Sequence, residues 1–410
     1  MVSLLVTQIL RRQLCLISVL LLLTQVQGCV VGSGGYIEND VLALDSYTGF
    51  NEDRNLTQAN GWIWSETEST PNLAHKILND HIDQRIPALQ RKVIRDANFP
   101  EDGKVLACDP DARRSSGIGV TAFTPENIVA FKPQFGYRPY ASLMALNASA
   151  TYHCTSNGEL GVSPQYTWFS SLNIGVLGLT ITEDFQRWWH ETVGTSSRRP
   201  NGWDNQISDG GEPTFMYALE RADVLDSALE KKIQPFYSVG VNIGYYTNAY
   251  VGVGGRFLLP GDSNGSFDTP FYNVGGAYSF AGTEAIQSQD VSIAADRFVF
   301  AGLRLRAVAR NYLLQGQFRD SAVRYSRSNI EDAIVQATIG FSDSLNGWCR
   351  LLTPDRTVAK IFKKNVFSCN AGKVGGTVLT YALHARTQEY KSDQEERAHI
   401  WAGLYFSNIR

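Results

Sequence analysis

The side chain best suited to proton transfer in this chain is His190, which opens the stretch HETVGTSSRRPNGWDNQ at residues 190–206. Only six histidines occur in 410 residues, and this one follows Trp188 and Trp189. An imidazole titrates near neutral pH, so it can take a proton from water and return it. A histidine beside tryptophans is structural unless its surroundings say otherwise, so the other polar clusters matter. They are Glu38-Asn39-Asp40, EDRNLTQANG (52–61), GYRPYASLMA (136–145), VARN (308–311) and RTQEY (386–390). Carboxylate, amide and hydroxyl oxygens such as those of Asp40, Asn39 and Thr57 are what calcium takes as ligands. Each also has an ordinary explanation: Asn39-Asp40 as a turn, Thr57 as a strand residue, Asp53 and Arg54 as an ion pair.

The elements that must position these groups are strands. Period-two alternation recurs at 214–223, 235–259, 297–311, 331–342, 377–390 and 399–407, and turn sequences such as GDSNGS and KSDQEE separate the runs. In FVFAGLRLRAVA apolar and charged residues alternate for several steps, as in a wall with lipid on one face and water on the other. Further candidates at 36–47, 58–66, 116–123, 137–151 and 168–180 complete the set. The expected fold is all-β: a closed antiparallel transmembrane barrel of about twelve strands. Two short helices interrupt it. One is amphipathic, near 72–96, and lies on the membrane surface or caps the barrel mouth; the other, at 182–194, carries His190.

Arg11 and Arg12 precede the apolar run LCLISVLLLL and then TQVQGC, the pattern of a secretory signal peptide over 1–28. Residues 29–410 read as one domain. Val26-Gln27-Gly28-Cys29 offers the alternative of a lipid-carrying Cys29. No later run is long enough for a membrane-spanning helix. Cys108, Cys154, Cys349 and Cys369 form an even set in an exported chain, which predicts two disulfides. Nearest-neighbour pairing joins 108 with 154 and 349 with 369, although three connectivities are open. With a net charge of −3 and no long basic run, nucleic acid is excluded as a partner.

Taken in order, the clusters resemble the outer-membrane lipid A 3′-O-deacylases. The matching pieces are a signal peptide, the pair Asn39-Asp40, and Asp53-Arg54-x-x-Thr57 with Gly61 following. Next come Arg138-Pro139-Tyr140-Ala141, then His190 with PNGWDNQ at 200–206, the most specific piece. The likeness runs from Tyr36 to Phe406. It implies a twelve-stranded outer-membrane barrel, a site among outward-facing side chains, calcium dependence, and hydrolysis of the 3′-linked acyl ester of lipid A. On that reading His190 activates water, and Asn39, Asp40 and Thr57 hold Ca2+ and stabilise the oxyanion. Trp203, Asp204 and Gln206 fix the loop after His190. The partners are lipid A or lipopolysaccharide and outer-membrane lipids, and the chain acts as a monomer. Departures bear on specificity rather than fold. Tyr137 stands where aspartate usually precedes Arg-Pro-Tyr, Ser196 where some members are acidic, and Lys132 is the nearest lysine to the family's active-site lysine. Two other functions fit the same scaffold: a non-catalytic porin-like or structural barrel, and an esterase for another acylated lipid.

Overall fold

In a computed structural model the described residues are 30–39, 55–66, 73–85, 107–108, 113–125, 127–134, 137–155, 166–192, 200–225, 233–258, 298–318, 333–344, 377–386 and 399–409. The strands are β1 (Val30–Asn39), β2 (Asn55–Glu66), β3 (Ala107–Cys108), β4 (Arg113–Thr124), β5 (Ala141–Thr155), β6 (Tyr166–Leu177) and β7 (Glu212–Val224). They continue as β8 (Ile233–Gly244), β9 (Tyr246–Leu258), β10 (Phe298–Asn311), β11 (Ala333–Ser344), β12 (Thr377–Arg386) and β13 (His399–Ile409). All belong to one antiparallel sheet of thirteen strands, ordered β3-β5-β4-β2-β1-β13-β12-β11-β10-β9-β8-β7-β6, in which β5 also pairs with β6. The first and last long strands meet directly, with Gly32 opposite Ile409 and Asn39 opposite Ala402.

The sheet is built inside out relative to a water-soluble one. Tyr237, Val239, Val241 and Ile243 on β8, Val251 and Val253 on β9, and Leu303 and Leu305 on β10 are each 40–58% exposed. Between them, Ser238, Asn242, Tyr250, Arg304 and Arg306 are buried. Alternation of period two with the apolar set outward is what a wall bathed in hydrocarbon requires. The buried face needs internal partners for its charges. The Arg304 guanidinium donates to Glu220 Oε1 at 3.1 Å and Tyr250 Oη donates to Glu220 Oε2 at 2.7 Å. Gly240 lies in register between Glu220 and Tyr250, and a Cβ there would stand 2.2 Å from the Tyr250 ring. The missing side chain is what lets the tyrosine cross its neighbour strand to the carboxylate.

Two expectations need correcting. The run 235–259 is two strands, because Gly244, at φ 136°, and Tyr245 turn the chain back and Thr247 Oγ1 donates to the Gly244 carbonyl at 2.9 Å. Gly244 is one of several glycines in this run, so from the sequence it does not stand out as the turn. The helix expected near 72–96 is described only to Arg85, as α1 (Leu73–Lys76), a π turn (Ile77–Ile82) and a 3-10 turn (Asp83–Arg85). This described part lies against the wall and not over the mouth of the sheet. Leu78 is wholly buried against Ala148, Ala150, Tyr152 and Leu172, on the same face of the sheet as the exposed apolar belt. Asp83 anchors one end of this segment, accepting from Ser170 Oγ (2.6 Å), Tyr152 Oη (2.9 Å) and Tyr217 Oη (3.3 Å). His75 anchors the other, its Nε2 lying 2.9 Å from the Ser115 carbonyl. The segment thus covers polar groups that the lipid-facing wall would otherwise expose. Among the described residues no helix is long and apolar enough to cross a membrane.

Candidate functional site

Strand register gathers the polar clusters at one end of the sheet. Glu38 stands opposite Ala59, Asn55 opposite Thr124, Phe123 opposite Ala141, and Leu143 opposite Leu177. Asn39 at the end of β1, Thr57 near the start of β2, and the 137–145 segment leading into β5 therefore share that end. The end of β10, with Asn311 opposite Tyr246, and the end of β12, with Arg386 opposite His399, lie there too. The helix α2 (Ile181–Thr192), which carries His190, begins four residues after β6 finishes at this end. Thr57 falls where the β2–β4 register slips between Leu56 and Gln58, a bulge of the kind that re-aims side chains near functional sites. The backbones of Asn39, Thr57 and His190 are described and their side chains are not; Asp40 and Ser196 lie outside the described residues. Four strand spacings, about 19 Å of wall, separate β1 from β6, so groups on α2 approach Asn39 and Thr57 only across the intervening loops.

Those loops are tightly fixed. Trp203 is 1% exposed, tilted against Tyr140 at 4.9 Å between ring centres, and its Nε1 donates to Gln186 Oε1 of α2 at 2.7 Å. An indole N–H only donates, so it sets which way the Gln186 amide faces. Gln186 precedes His190 by one helical turn, so the Trp203 contact fixes the stretch of helix that bears the histidine. Gln206 Oε1 accepts from Ser142 Oγ at 3.2 Å, and Asn205 Nδ2 donates to the Phe131 carbonyl at 2.9 Å. Tyr140 Oη donates to the Ile128 carbonyl at 2.7 Å, and the Ile207 amide to the Tyr140 carbonyl at 2.8 Å. Gly178, at φ 74°, makes the bend between β6 and α2, where a Cβ would stand 1.9 Å from the Ser208 carbonyl oxygen. Trp203 and Gln206 thus hold the loop as their motif predicts, while Asp204 is exposed.

Arg138 is 1% exposed with its guanidinium 3.8 Å from the Phe123 ring centre. Glu183 pairs with Arg187 one turn along α2; burial pushes its carboxyl up, against the pull of that guanidinium. Gln186 was not singled out from the sequence, since nothing in its composition marks a glutamine as buried; Arg138 was, as part of the Arg-Pro-Tyr-Ala piece. Among the described residues no group of three His, Cys, Asp or Glu side chains is placed to hold a metal. The donor types of Asn39, Asp40 and Thr57, all oxygens, suit a hard cation by their chemistry.

A sequence model of the family described as Outer membrane protein LpxR matches residues 19–408. The chain belongs to the LpxR family. The solved structure of LpxR from Salmonella typhimurium aligns at a TM-score of 0.54 and 13% identity, covering 92% of this chain and 100% of that one. It supports the LpxR-like all-β fold. The Pseudomonas putida toluene transporter TodX aligns at 8% identity over 93% of this chain and 89% of that one, but its TM-score of 0.29 bears no weight. Comparison with curated proteins gives no match. As an LpxR family member the protein resides in the outer membrane, in keeping with its exposed apolar belt.

Proposed function

We propose that this LpxR family chain is a calcium-dependent ester hydrolase that removes the 3′-linked acyl group from lipid A. The observation that carries this reading is the collection of the family's polar motifs at one end of a lipid-facing wall. An enzyme whose substrate sits in a membrane leaflet needs hydrophilic chemistry at the rim of a hydrophobic surface. In this reading His190 takes a proton from water as that water attacks the ester carbonyl, and returns it to the departing oxygen. Asn39, Asp40 and Thr57 would hold the calcium, which supplies Lewis-acid polarisation of the carbonyl. Trp203 and Gln186 keep the helix bearing His190 in place.

The wall itself is proposed to be a closed barrel of the twelve long strands, the two-residue β3 aside, a reading supported by the pairing of β5 with β6 as well as β4. A porin-like role is disfavoured because a conducting lumen has to be wet. Glu38, Arg306, His384 and Tyr245, spread around the polar face, are each at most 1% exposed. We further propose cleavage of a signal peptide over 1–28, a monomeric protein, and a Cys108–Cys154 disulfide. The disulfide is supported by the register, which sets the two residues directly opposite each other.

The test is mass spectrometry of lipid A from cells making the wild-type chain, His190→Ala, or no protein. The wild type should lower the lipid A mass by one 3′-linked acyl group, and His190→Ala should leave it intact while still assembling. In membranes, a chelator should abolish the activity and calcium restore it. Unchanged lipid A with folded wild-type protein overturns the substrate; full activity in His190→Ala overturns the base; zinc but not calcium rescue overturns the metal.

A further inference from the structure

The 73–85 segment crosses the wall as a belt. His75 meets β4 and β5 at the Ser115 and Ser149 carbonyls, and Asp83 meets β6 and β7 at Ser170 and Tyr217. Those contacts and Leu78 take up its inner face, so its outer face is what the surroundings meet. The exposed side chains described there are Lys76, His81, Gln84 and Arg85, three bases and an amide. The strands beneath set the depth. Ser115 is the third residue of β4 and Ser170 the fifth of β6, both counted from the end opposite the site. Tyr152, Tyr166 and Trp168 stand on the covered face near that end. Tyrosine and tryptophan collect where a lipid-facing wall passes from hydrocarbon to headgroups, so the segment lies close to headgroup depth.

Arg114 completes a basic corner. It stands in the register row Arg114–Ala150–Ser170, on the face that the segment covers. It is half-buried, and its Nε has no hydrogen-bond partner among the described residues. Arg221, on the same face of β7, is settled by contrast. It donates to both carboxylate oxygens of Asp223, at 2.8 and 2.5 Å, with its guanidinium 4.4 Å from the Tyr166 ring centre. Arg114 precedes Ser115 and Lys76 follows His75, and those two neighbours are in contact. Two cations are thus brought to one corner, where Glu66 is the acid that the register sets opposite Arg114. Like charges gathered away from water call for an anion between them. A phosphate suits, since its oxygens accept from a guanidinium fork and an ammonium together.

We propose that Arg114 and Lys76, with His81 and Arg85 alongside, bind the phosphate of an anionic glycerophospholipid in the leaflet opposite the lipid A site. Such a lipid clamps the 73–85 segment from outside as His75 and Asp83 clamp it from inside. The choice of leaflet rests on reading the other end as the lipid A end; the binding site itself stands whether or not the chain hydrolyses an ester.

The test uses the full chain in detergent micelles, with native mass spectrometry reading bound phosphatidylglycerol or phosphatidylcholine of matched acyl chains. Wild type should bind phosphatidylglycerol about 10- to 30-fold more tightly, the effect of two basic side chains at a lipid surface. Lys76→Gln combined with Arg114→Gln should bind the two lipids equally. Glu66→Gln, which removes the competing carboxylate, should strengthen phosphatidylglycerol binding. Arg310→Gln, at the other end of the sheet, should match wild type. Equal affinity for the two lipids in wild type overturns the proposal, as does a preference that survives the double variant. A loss in Arg310→Gln as large as in the double variant also overturns it, because the preference would then follow net charge and not a site. Weaker phosphatidylglycerol binding in Glu66→Gln contradicts the corner as described. Heat-modifiable electrophoretic migration identifies folded protein for each variant. Lys76→Gln alone, a change at an exposed side chain, should lower the preference several-fold, and an unchanged preference there overturns the site even if the double variant does not fold. None of these readouts involves ester cleavage, so their failure is distinct from failure of the deacylase reading.

Discussion

Trp203→Phe isolates the contact that ties the loop to the histidine-bearing helix. The substitution keeps a ring against Tyr140 and removes one donor, the Nε1–H that reaches Gln186 Oε1 at 2.7 Å. Gln186 is 3% exposed, so its oxygen cannot turn to water. Leaving a buried acceptor without its donor costs about 1–3 kcal/mol, which corresponds to about a 5- to 150-fold rise in the opening of the loop. Hydrogen exchange at the Asn201 and Ile207 amides reads this directly, since both donate to loop carbonyls of the 128–140 segment at 2.8 Å. Those amides should exchange faster by that factor while amides of β6 stay unchanged. If the contact also sets the position of His190, kcat falls by up to about 100-fold with little change in KM, because displacements near 1 Å are that costly. Gln186→Leu should give a similar opening, and the double variant should be less than additive by about 1 kcal/mol. Additive effects, or Asn201 and Ile207 amides that exchange at wild-type rates in Trp203→Phe, would refute the reasoning.

Two further outcomes are expected. Burial holds the Asp83 carboxyl above its ordinary range despite three hydroxyl donors, so the docked 73–85 segment binds a proton more readily than the undocked one. Docking is then strongest below the ordinary carboxylate pKa and weakens as pH rises through the raised value; limited proteolysis of this segment should increase with pH in wild type and be flat in Asp83→Asn, and a pH-dependent Asp83→Asn would contradict the assignment. Glu220→Gln removes the carboxylate that pairs with Arg304 on the buried face and should cost about 3–5 kcal/mol in denaturant unfolding, against about 1.5–3 kcal/mol for Tyr250→Phe, which removes one hydrogen bond to a charge; a smaller loss in Glu220→Gln than in Tyr250→Phe would reverse the account of that network.

Much of the wall was legible because its alternation is strong: FVFAGLRLRAVARN reads as a strand from sequence and forms β10 over Phe298–Asn311. Where residues are small the signal fails. The first six residues of β1, VVGSGG, alternate nothing, so the strand was expected only from Tyr36. The 73–85 segment shows a related limit. Its periodicity gives an apolar face, but in a membrane protein both a protein wall and lipid are apolar, and only Asp83 and His75, polar groups needing partners, reveal which one it meets. The end of the sheet that gathers the motifs could be anticipated from polar clusters at strand ends. Gln186 could not, because its role depends on Trp203, seventeen residues away in the sequence.

The pairing of β1 with β13 also has a meaning for biogenesis. Asn39 has Ala402 as its strand partner, so this corner joins strands more than 360 residues apart in the sequence. Until β13 docks, β1 has only β2 beside it and its other edge stays open. Contacts of such long sequence separation form slowly, and an open edge meanwhile invites foreign strands. A chain stopped before residue 399 would carry every side chain assigned to the reaction yet lack the strand that flanks Asn39. Any activity of this corner therefore awaits the docking of β13 against β1, however early the residues around Asn39 are in place.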